Sequence, residues 1–244
     1  MVLRIIVNGA HGKMGRLACD AIQQHSGFEL SAGLSRADNL KQAIVDTAAD
    51  VVVDLTRADC VYENVLTIIE AGAHPVIGTS GLHPDQMSAL KVLCDEKKLG
   101  GLVVPNFSIA AVLMMRFAKM AAPYLNHVEI IEAHHPQKFD APSGTAIRTA
   151  QILSKARTKE TQPLNIHESI KGVRGGVCED VPIHSIRLPG IVAEQQIVFG
   201  SLGETLTVTH RSIDRACFMP GLLLCCEKVQ QLNTLYEDMD ILFN

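Results

Sequence analysis

The sequence predicts an α/β fold in two parts, a parallel sheet covered by helices on both faces and then an α+β domain with a mixed sheet. Between residues 3 and 104, short apolar runs alternate with helix-like segments, which is typical of a covered parallel sheet. Between residues 181 and 210, three strand-like runs follow one another without helices. They are separated by Pro189-Gly190 and by the turn residues 200–203, which favours an antiparallel or mixed sheet.

The first part has five strand-like runs with a helix candidate between each pair. The runs are 3–7, 28–34, 51–55, 75–77 and 102–104, and the helix candidates lie at about 13–24, 38–48, 58–71 and 84–98. The first helix candidate has apolar residues at the i, i+3, i+4, i+7 and i+8 spacing that places them on one buried face. These residues are Met14, Leu17, Ala18, Ala21 and Ile22.

The second part begins with a helix candidate at 108–122, a strand at 127–133 and a helix at 145–156. A polar stretch, 158–172, precedes the three consecutive strands at 181–188, 191–199 and 204–210. A last helix at about 214–231 is expected to return to the first domain. We therefore expect a first domain of residues 1–106 plus 216–244, and a second domain of residues 107–215.

Composition excludes several classes of protein. The 244 residues are 47% hydrophobic and have a net charge of −4, which argues against a general nucleic-acid binder. The most apolar segment, 109–125, is too short for a membrane span and is interrupted by Arg116 and Lys119. Seven cysteines without a CxxC pair, and a start without signal-peptide features, predict a cytoplasmic protein with reduced thiols.

The segment RIIVNGAHGKMGR places a glycine turn between the first strand and the first helix. Gly12 and Gly15 match the last two glycines of G-x-G-x-x-G, while Ala10 stands at the first position and Gly9 precedes it. Glycines allow the backbone to approach a pyrophosphate, and the helix start offers free N–H groups. The segment predicts a Rossmann-type dinucleotide site, and a tight turn without a ligand is the alternative.

The ends of the next strands are also polar, and ligands on such sheets bind there. Arg36 ends the second strand, where NAD-binding proteins usually have an acidic residue. A guanidinium suits a 2′-phosphate, so NADPH is predicted over NADH, with a solvent-exposed arginine as the alternative. Asp54, Thr56 and the Gly78-Thr79-Ser80 segment are further expected neighbours of the cofactor, although Asp54 is also a candidate helix cap.

The loop EAHHPQKFDAPSGTA, residues 132–146, combines His134, His135 and Lys138 with a helix start at Ser143-Gly144-Thr145. No acidic residue follows in the first turn, so the free N–H groups form an anion site, and the histidines and lysine add cationic donors. We predict a small dicarboxylate substrate with an acid placed to protonate it. Zinc is not expected, because adjacent histidines point apart and no partner lies at ligand spacing.

The pattern E-A-H-H-x-x-K-x-D-A-P-S-G-T-A at 132–146 resembles the signature of the 4-hydroxy-tetrahydrodipicolinate reductase (dihydrodipicolinate reductase) family. The segments VNGAHGKMGR, VVVDLTR, VIGTSG, PNFS and GETLTVTHRS occur in the order found in that family. The resemblance covers nearly the whole chain. The long loop motif is specific, whereas the glycine motif alone is not.

The resemblance implies a Rossmann domain completed by the C-terminal helix and a second α+β domain of mixed sheet that binds substrate and builds a homotetramer. It implies NADH- or NADPH-dependent reduction of the cyclic hydroxy-dicarboxylate with loss of water, in lysine and diaminopimelate biosynthesis. His134 would be the acid/base residue, Lys138 the proton donor, and His135 with Ser143, Gly144 and Thr145 the substrate-binding residues. The implied cofactor-binding residues are Gly9, Ala10, His11, Gly12, Lys13, Met14, Arg36, Gly78, Thr79, Ser80, Val104, Pro105, Asn106 and Phe107.

Three positions depart from the family pattern. Ser35 replaces an acidic residue that many members have before the arginine, Ser80 replaces a threonine, and Gln137 replaces a residue that is basic in some members. Two alternative functions are another NADPH-dependent dehydrogenase of aspartate-derived amino-acid metabolism and a non-catalytic NADPH-sensing regulator. An aspartate-semialdehyde dehydrogenase needs a nucleophilic cysteine, and none lies near residues 134–145. A regulator has no need for His134 and Lys138 beside an open helix start.

Overall fold

The structure is a computed structural model that describes residues 2–158 and 165–243. The chain forms two compact units, Met1–Ile109 with Arg215–Asn244, and Ala110–Asp214. We call them unit 1 and unit 2. Residues 159–164 of the expected polar stretch 158–172, and the two chain ends, lie outside the described residues.

Unit 1 contains a six-stranded sheet in which every pair of neighbouring strands is parallel. The strands occur in the order β11-β5-β4-β3-β1-β2. Their bounds are β1 Leu3–Asn8, β2 Phe28–Leu34, β3 Val51–Asp54, β4 His74–Ile77, β5 Gly101–Val103 and β11 Leu235–Tyr236. Strand β3 reads Val-Val-Val-Asp and is fully buried, as a central parallel strand covered on both faces must be. The predicted parallel α/β domain is confirmed.

Helices lie on both faces of this sheet. They are α1 Lys13–Gln24, α2 Leu40–Thr47, α3 Val61–Glu70, α4 Pro84–Lys97 and α7 Met219–Lys228. Helix α3 contacts both α2 and α4, and the three helices pack in one core with Ile6, Val52 and Ile77. Helices α1 and α7 contact each other, and Ala18 and Leu222 are fully buried. The predicted first helix, 13–24, has the same bounds as α1, as expected for a helix with a regular apolar stripe.

The C-terminal segment contributes a helix and the sixth strand to unit 1. Helix α7 lies between short 3₁₀ turns at Arg215–Phe218 and Val229–Gln231, where the sequence predicted a single helix over 214–231. Strand β11 pairs with β5 through Leu235 and Tyr236. Strand β11 could not be predicted from the sequence, because two residues are too few to show a periodicity.

Unit 2 contains a five-stranded mixed sheet in the order β10-β9-β6-β8-β7. Its elements are α5 Ile109–Ala121, β6 His127–His134, α6 Gly144–Ala156, β7 Gly176–Cys178, β8 Val181–Arg187, β9 Ala193–Ser201 and β10 Glu204–Ser212. Within this second sheet, only the β6–β8 pair is parallel among the described strands. The predicted mixed sheet is confirmed, and β7 is an edge strand that the sequence did not reveal.

The two faces of the unit 2 sheet differ. Glu132 pairs in register with Ser185 of β8 and Gln195 of β9, so all three lie on one face. Helix α6 covers this face, since Gln195 donates a hydrogen bond to Thr149 of α6. The opposite face includes Ile131 and lines an open groove of about 820 Å³. Among the described residues, no helix is long and apolar enough to span a membrane.

Candidate active site

The glycine turn of unit 1 joins β1 to α1 without a side-chain cap. Gly12 is the N-cap residue of α1, and no acidic side chain lies in the first turn of this helix. His11, Gly12 and Lys13 are exposed, and Met14 is partly exposed, whereas Ala10 is buried. The start of α1 therefore offers backbone N–H groups to an anion, and the adjacent Lys13 side chain adds positive charge.

Two of the glycines in this turn are required by close backbone contacts. Gly9 has φ +88°, and a Cβ atom there would lie 2.6 Å from the carbonyl oxygen of Leu55. A Cβ atom on Gly15 would lie 2.1 Å from the carbonyl oxygen of Gly9 and 2.8 Å from Cα of Ala10. Gly9 thus lets the turn approach the backbone that follows β3, and Gly15 lets α1 pack closely against the end of β1. Close packing of this kind is typical of glycine turns that bind a dinucleotide pyrophosphate.

Arg36 lies in the turn that follows β2 and is exposed to solvent. The Asp38 carboxylate accepts hydrogen bonds from the backbone N–H and the hydroxyl of Ser35, both at 2.7 Å. These hydrogen bonds lower the pKa of Asp38. The hydrogen bonds between Ser35 and Asp38 fix the conformation of the turn. Arg36 lies between these two residues in the sequence and is accessible to a ligand.

Asp54, at the end of β3, is the centre of a buried hydrogen-bond network. Its carboxylate accepts hydrogen bonds from Asn8 Nδ2 at 2.9 Å, Asn64 Nδ2 at 2.9 Å, Thr56 Oγ1 at 2.7 Å and Thr79 Oγ1 at 2.6 Å. The network ties together the ends of β1, β3 and β4. Asp54 therefore holds the ends of these strands together. Both oxygens of its carboxylate already accept hydrogen bonds within the protein, so the expectation that this side chain contacts the cofactor is not supported.

Two further expectations about this edge are refined by the structure. Asp54 is not a helix cap, because α3 begins at Val61 with Cys60 as its N-cap residue. Gly78 is needed for packing, since a Cβ atom there would lie 2.6 Å from the ring of Phe107. Within the predicted 104–107 segment, Val104 and Phe107 are buried, whereas Pro105 is exposed. Ser80, in the predicted 78–80 segment, is also exposed. The Asn106 Oδ1 atom accepts a hydrogen bond from the Ser108 N–H at 2.9 Å.

The histidine-containing loop of unit 2 starts at the end of β6, where Glu132 and His134 point to the same face. Glu132 is fully buried, and one of its carboxylate oxygens lies 2.6 Å from His134 Nδ1. Arg187, at the end of β8, donates two hydrogen bonds to the same carboxylate, each at 2.9 Å. His135 is half-buried, and its Nδ1 atom is buried without a hydrogen-bond partner among the described residues.

Lys138 lies in the same loop and pairs with Asp140. Its Nζ atom is 2.8 Å and 2.9 Å from the two Asp140 carboxylate oxygens. The Lys138 side chain is 23% exposed and that of Asp140 is 57% exposed, so another anion can displace Asp140 from Lys138 at low cost. Arg187 Nη2 also donates a hydrogen bond to the Asp140 carbonyl oxygen at 2.6 Å.

Helix α6 begins at this loop. Ser143 is its N-cap, and the buried Ser143 hydroxyl accepts a hydrogen bond from the Ala146 N–H at 3.2 Å. The first turn contains no acidic side chain, and Gly144 and Thr145 are exposed or half-buried. Thr149 donates a hydrogen bond to the Thr145 carbonyl, and Gln195 donates one to Thr149, which anchors the helix start to β9.

Glu132 and Arg187 are site residues that were not predicted from the sequence. Glu132 had a detectable signal, because it precedes His134 by two residues in a strand and therefore shares its face. Arg187 had none, since it lies on another strand and no local pattern relates it to residues 132–140. Among the described residues, no cluster of three or more histidine, cysteine, aspartate or glutamate side chains forms a metal site.

The hydrogen bonds around Glu132 determine its ionisation. Burial raises the pKa of the Glu132 carboxyl, but hydrogen bonds from His134, Arg187 and Ser185 outweigh burial and lower the pKa to about 2. Glu132 is therefore an anion at neutral pH. Since a carboxylate has no proton to donate, the hydrogen bond to His134 requires the proton to be on His134 Nδ1.

The lowered pKa of Glu132 makes the stability of the folded protein depend on pH. The folded-state pKa lies below the usual value of 4.5, so the stabilisation is complete above pH 4.5 and is lost as the pH falls towards 2. The shift corresponds to about 3 kcal/mol. We expect the melting temperature of the wild type to fall more between pH 6 and pH 3 than that of Glu132→Gln, measured by calorimetry. Equal falls in both proteins would contradict the prediction.

Comparisons with known proteins agree on one family. The family model described as dihydrodipicolinate reductase, N-terminus, matches residues 3–107, and the one described as dihydrodipicolinate reductase, C-terminus, matches residues 110–242. A 4-hydroxy-tetrahydrodipicolinate reductase of Legionella pneumophila is 57% identical over 240 residues, covering 98% of this chain and 99% of the relative. One of Coxiella burnetii is 48% identical over 241 residues, covering 98% and 99%.

A solved structure is also similar over the whole chain. It is the dipicolinate-bound dihydrodipicolinate reductase of Paenisporosarcina sp. TG-14, which is 38% identical, with a TM-score of 0.93 and 99% of each chain covered. These relatives are named as reductases and match this chain over nearly their whole length, so the alternatives of another dehydrogenase or a non-catalytic regulator lose their support. The chain belongs to the dihydrodipicolinate reductase family.

Proposed function

We propose that this reductase acts on 4-hydroxy-tetrahydrodipicolinate with NADPH as its preferred hydride donor, and that His134 and Lys138 move the protons. The family's reaction reduces the hydroxylated ring with loss of water, in lysine and diaminopimelate biosynthesis. The observation that most supports the proposal is the 132–146 loop. It combines an oriented histidine, a lysine ammonium and a helix start without acidic residues.

The dinucleotide is proposed to bind at the edge of the unit 1 sheet. Gly9 and Gly15 allow close backbone packing in the turn between β1 and α1, and the start of α1 has neither a side-chain cap nor an acidic residue in its first turn. We propose that residues 9–14 hold the pyrophosphate and that residues 78–80 and 104–107 line the rest of the site. When bound, the nicotinamide supplies the hydride.

Arg36 is proposed to select NADPH over NADH. Its guanidinium is exposed in the turn after β2, where it is accessible to a 2′-phosphate. A charge-assisted contact of this kind contributes about 1.5–3 kcal/mol. We expect Arg36→Ala to weaken NADPH binding about 10- to 100-fold and NADH binding much less, measured by titration calorimetry. Equal losses for both cofactors would show that the arginine does not select between them.

The substrate is proposed to bind at the start of α6. The first turn presents backbone N–H groups of Gly144 and Thr145, and the buried His135 Nδ1 atom has no protein partner among the described residues. Both features suit a carboxylate. The relative from Paenisporosarcina was solved with dipicolinate, which is a ring with two carboxylates. We propose that this chain binds the same class of ligand through His135, Ser143, Gly144 and Thr145.

The proton chemistry follows from the charge that develops during reduction. Hydride delivery to an electron-poor ring carbon leaves negative charge on the adjacent carbon and nitrogen. The Lys138 ammonium both attracts a carboxylate and supplies a proton, and His134 acts as the acid/base group through its Nε2 atom. Groups positioned in this way stabilise the transition state more than the ground state.

One assay tests the activity. The protein is incubated with NADPH and enzymatically generated 4-hydroxy-tetrahydrodipicolinate, and the nicotinamide absorbance is followed. We expect oxidation of NADPH that depends on the substrate. NADPH binding without oxidation would overturn the proposed reaction and would favour a regulator.

We also propose a homotetramer assembled through unit 2, the substrate-binding and tetramerisation domain. The sheet face opposite α6 lines the 820 Å³ groove with Ile131, Val198 and Thr205, and Val177 on the edge strand is 70% exposed. An accessible sheet face with apolar side chains is typical of an interaction surface. We expect light scattering to give four times the mass of one chain at micromolar concentration, and a stable monomer would contradict it.

A cytoplasmic location is the last part of the proposal. None of the seven cysteines forms a disulfide bond, and Cys94, Cys225 and Cys226 are buried. Burial raises the pKa of Cys94 to about 11 and that of Cys225 to about 12. These thiols stay protonated and unreactive, as packing residues in a reducing compartment do.

A further inference from the structure

The network behind the proposed reacting groups is continuous. It runs from His134 Nδ1 to the Glu132 carboxylate, from Glu132 to the Arg187 guanidinium, and from Arg187 to the Asp140 carbonyl oxygen. The side chain of Asp140 then pairs with the Lys138 ammonium. Every donor–acceptor distance in this series is between 2.6 and 2.9 Å. The two side chains that are proposed to move protons are therefore connected through residues on two strands and one loop.

Glu132 determines the tautomer of His134. The carboxylate is fully buried, ionised and able only to accept hydrogen bonds, so the proton stays on Nδ1. The Nε2 atom is then the one that exchanges protons with the substrate. A histidine whose second ring nitrogen is held by a carboxylate is the arrangement that general acid/base catalysis uses on many folds.

Arg187 connects this pair to the loop. Its guanidinium makes two parallel hydrogen bonds to Glu132 and a third to the Asp140 carbonyl, which only a planar fork of donors can do at once. A lysine at this position could keep the charge but not the geometry. The backbone at Asp140 lies two residues after Lys138, so the guanidinium fixes the part of the loop from which the ammonium extends.

Stability alone does not account for this cluster. A buried ion pair is often no more stable than apolar side chains of the same volume, because removing two charges from water is costly. A network that holds a histidine in one tautomer and a loop in one position has a functional use. We infer that Glu132 and Arg187 are positioning residues: Glu132 fixes the Nδ1–H tautomer of His134, and Arg187 couples that pair to the loop that holds Lys138. This inference rests on the proposed roles of His134 and Lys138.

Glu132→Gln tests the tautomer. The amide oxygen must accept from Arg187, so the NH₂ group faces His134 and donates to Nδ1, which moves the proton to Nε2. We expect ¹⁵N NMR of histidine-labelled protein to show the Nδ1–H form in the wild type and the Nε2–H form in Glu132→Gln. The His134→Gln variant identifies the signals. We also expect kcat to fall about 10²-fold or more, as for other carboxylate-to-amide changes beside a catalytic histidine. An unchanged Nδ1–H signal in Glu132→Gln would overturn the role of Glu132.

Arg187→Lys tests the coupling to the loop. We expect kcat to fall about 10-fold or more, with NADPH affinity unchanged and KM changed less than kcat, because misplaced groups slow the chemical step. In a Lys138→Ala background the same substitution should cost little further activity, since the group it positions is gone. The control is Arg4→Lys, which alters the bidentate Arg4–Asp50 pair of unit 1 and should leave kcat unchanged. A wild-type kcat in Arg187→Lys, or equal losses in both backgrounds, would overturn the coupling.

The two hypotheses fail in different ways. Wild-type turnover in His134→Gln would refute the acid/base role of His134, which is part of the proposed function. The tautomer measured by NMR in the free protein would still decide whether Glu132 positions the ring. If Glu132→Gln does not fold, Arg187→Lys still tests the network, because it keeps the buried carboxylate paired with a cation.

Discussion

Lys138→Ala is expected to lower kcat by about 10²-fold or more, which is the usual cost of losing a general acid. The Lys138 ammonium is partly exposed and is held by the surface pair with Asp140, so its removal leaves no buried charge without a partner. The fold and the NADPH affinity should therefore stay near those of the wild type. Steady-state kinetics with saturating NADPH measure kcat, circular dichroism verifies the fold, and NADPH titration verifies the cofactor affinity.

Two companion variants separate catalysis from substrate binding. Thr145→Val should mainly raise KM, because a contact with the substrate carboxylate is lost equally from the ground state and the transition state. Lys155→Ala is the matched control, since Lys155 is an exposed lysine in the last turn of α6. If Lys138→Ala keeps its turnover and Thr145→Val lowers the melting temperature without changing KM, the loop is a structural connection and the proposed mechanism is wrong.

Gly15→Ala is expected to abolish tight binding of both NADPH and NADH. Its Cβ atom would lie 2.1 Å from the Gly9 carbonyl oxygen and 2.8 Å from Ala10 Cα, and both are backbone atoms that cannot rotate away. Helix α1 must therefore move from the turn, and the N–H groups at its start move with it. Each lost charge-assisted hydrogen bond costs about 1.5–3 kcal/mol, so two of them correspond to a loss of roughly 10²-fold or more.

The control for this substitution is Gly27→Ala in the same unit. At Gly27 an added Cβ would meet only the His25 ring, at an ordinary distance of 3.4 Å, so cofactor affinity should not change. Fluorescence titration with both cofactors measures the difference between the variants. Gly15→Ala with wild-type affinity for NADPH would mean that the turn does not hold the pyrophosphate. The displaced helix is expected to lower the melting temperature of Gly15→Ala. That change by itself does not show whether the turn holds the pyrophosphate.

The elements that the sequence predicted well are those with a periodic pattern of their own. Helix α1 and strand β2 have the predicted bounds, because an apolar stripe at helical spacing and a continuous β-prone run are properties of neighbouring residues. Strands β7 and β11, with three and two residues, are defined by their partners Val181–Ile183 and Gly101–Leu102 and could not be predicted. The family was also recognisable from the sequence, because the 132–146 motif is contiguous.

The sequence by itself determined the two-part α/β architecture, the glycine turn and the chemical character of the 132–146 loop, since each depends on residues close together in the chain. Only the tertiary structure decided what orients those residues. Arg187 reaches Glu132 because β6 and β8 are neighbours in the sheet, and Asp54 meets Asn8 and Thr79 because three parallel strands end at one edge. Hydrogen bonds form between atoms that folding brings within about 3 Å, and a separation of 25 to 55 residues leaves no local pattern from which to predict them.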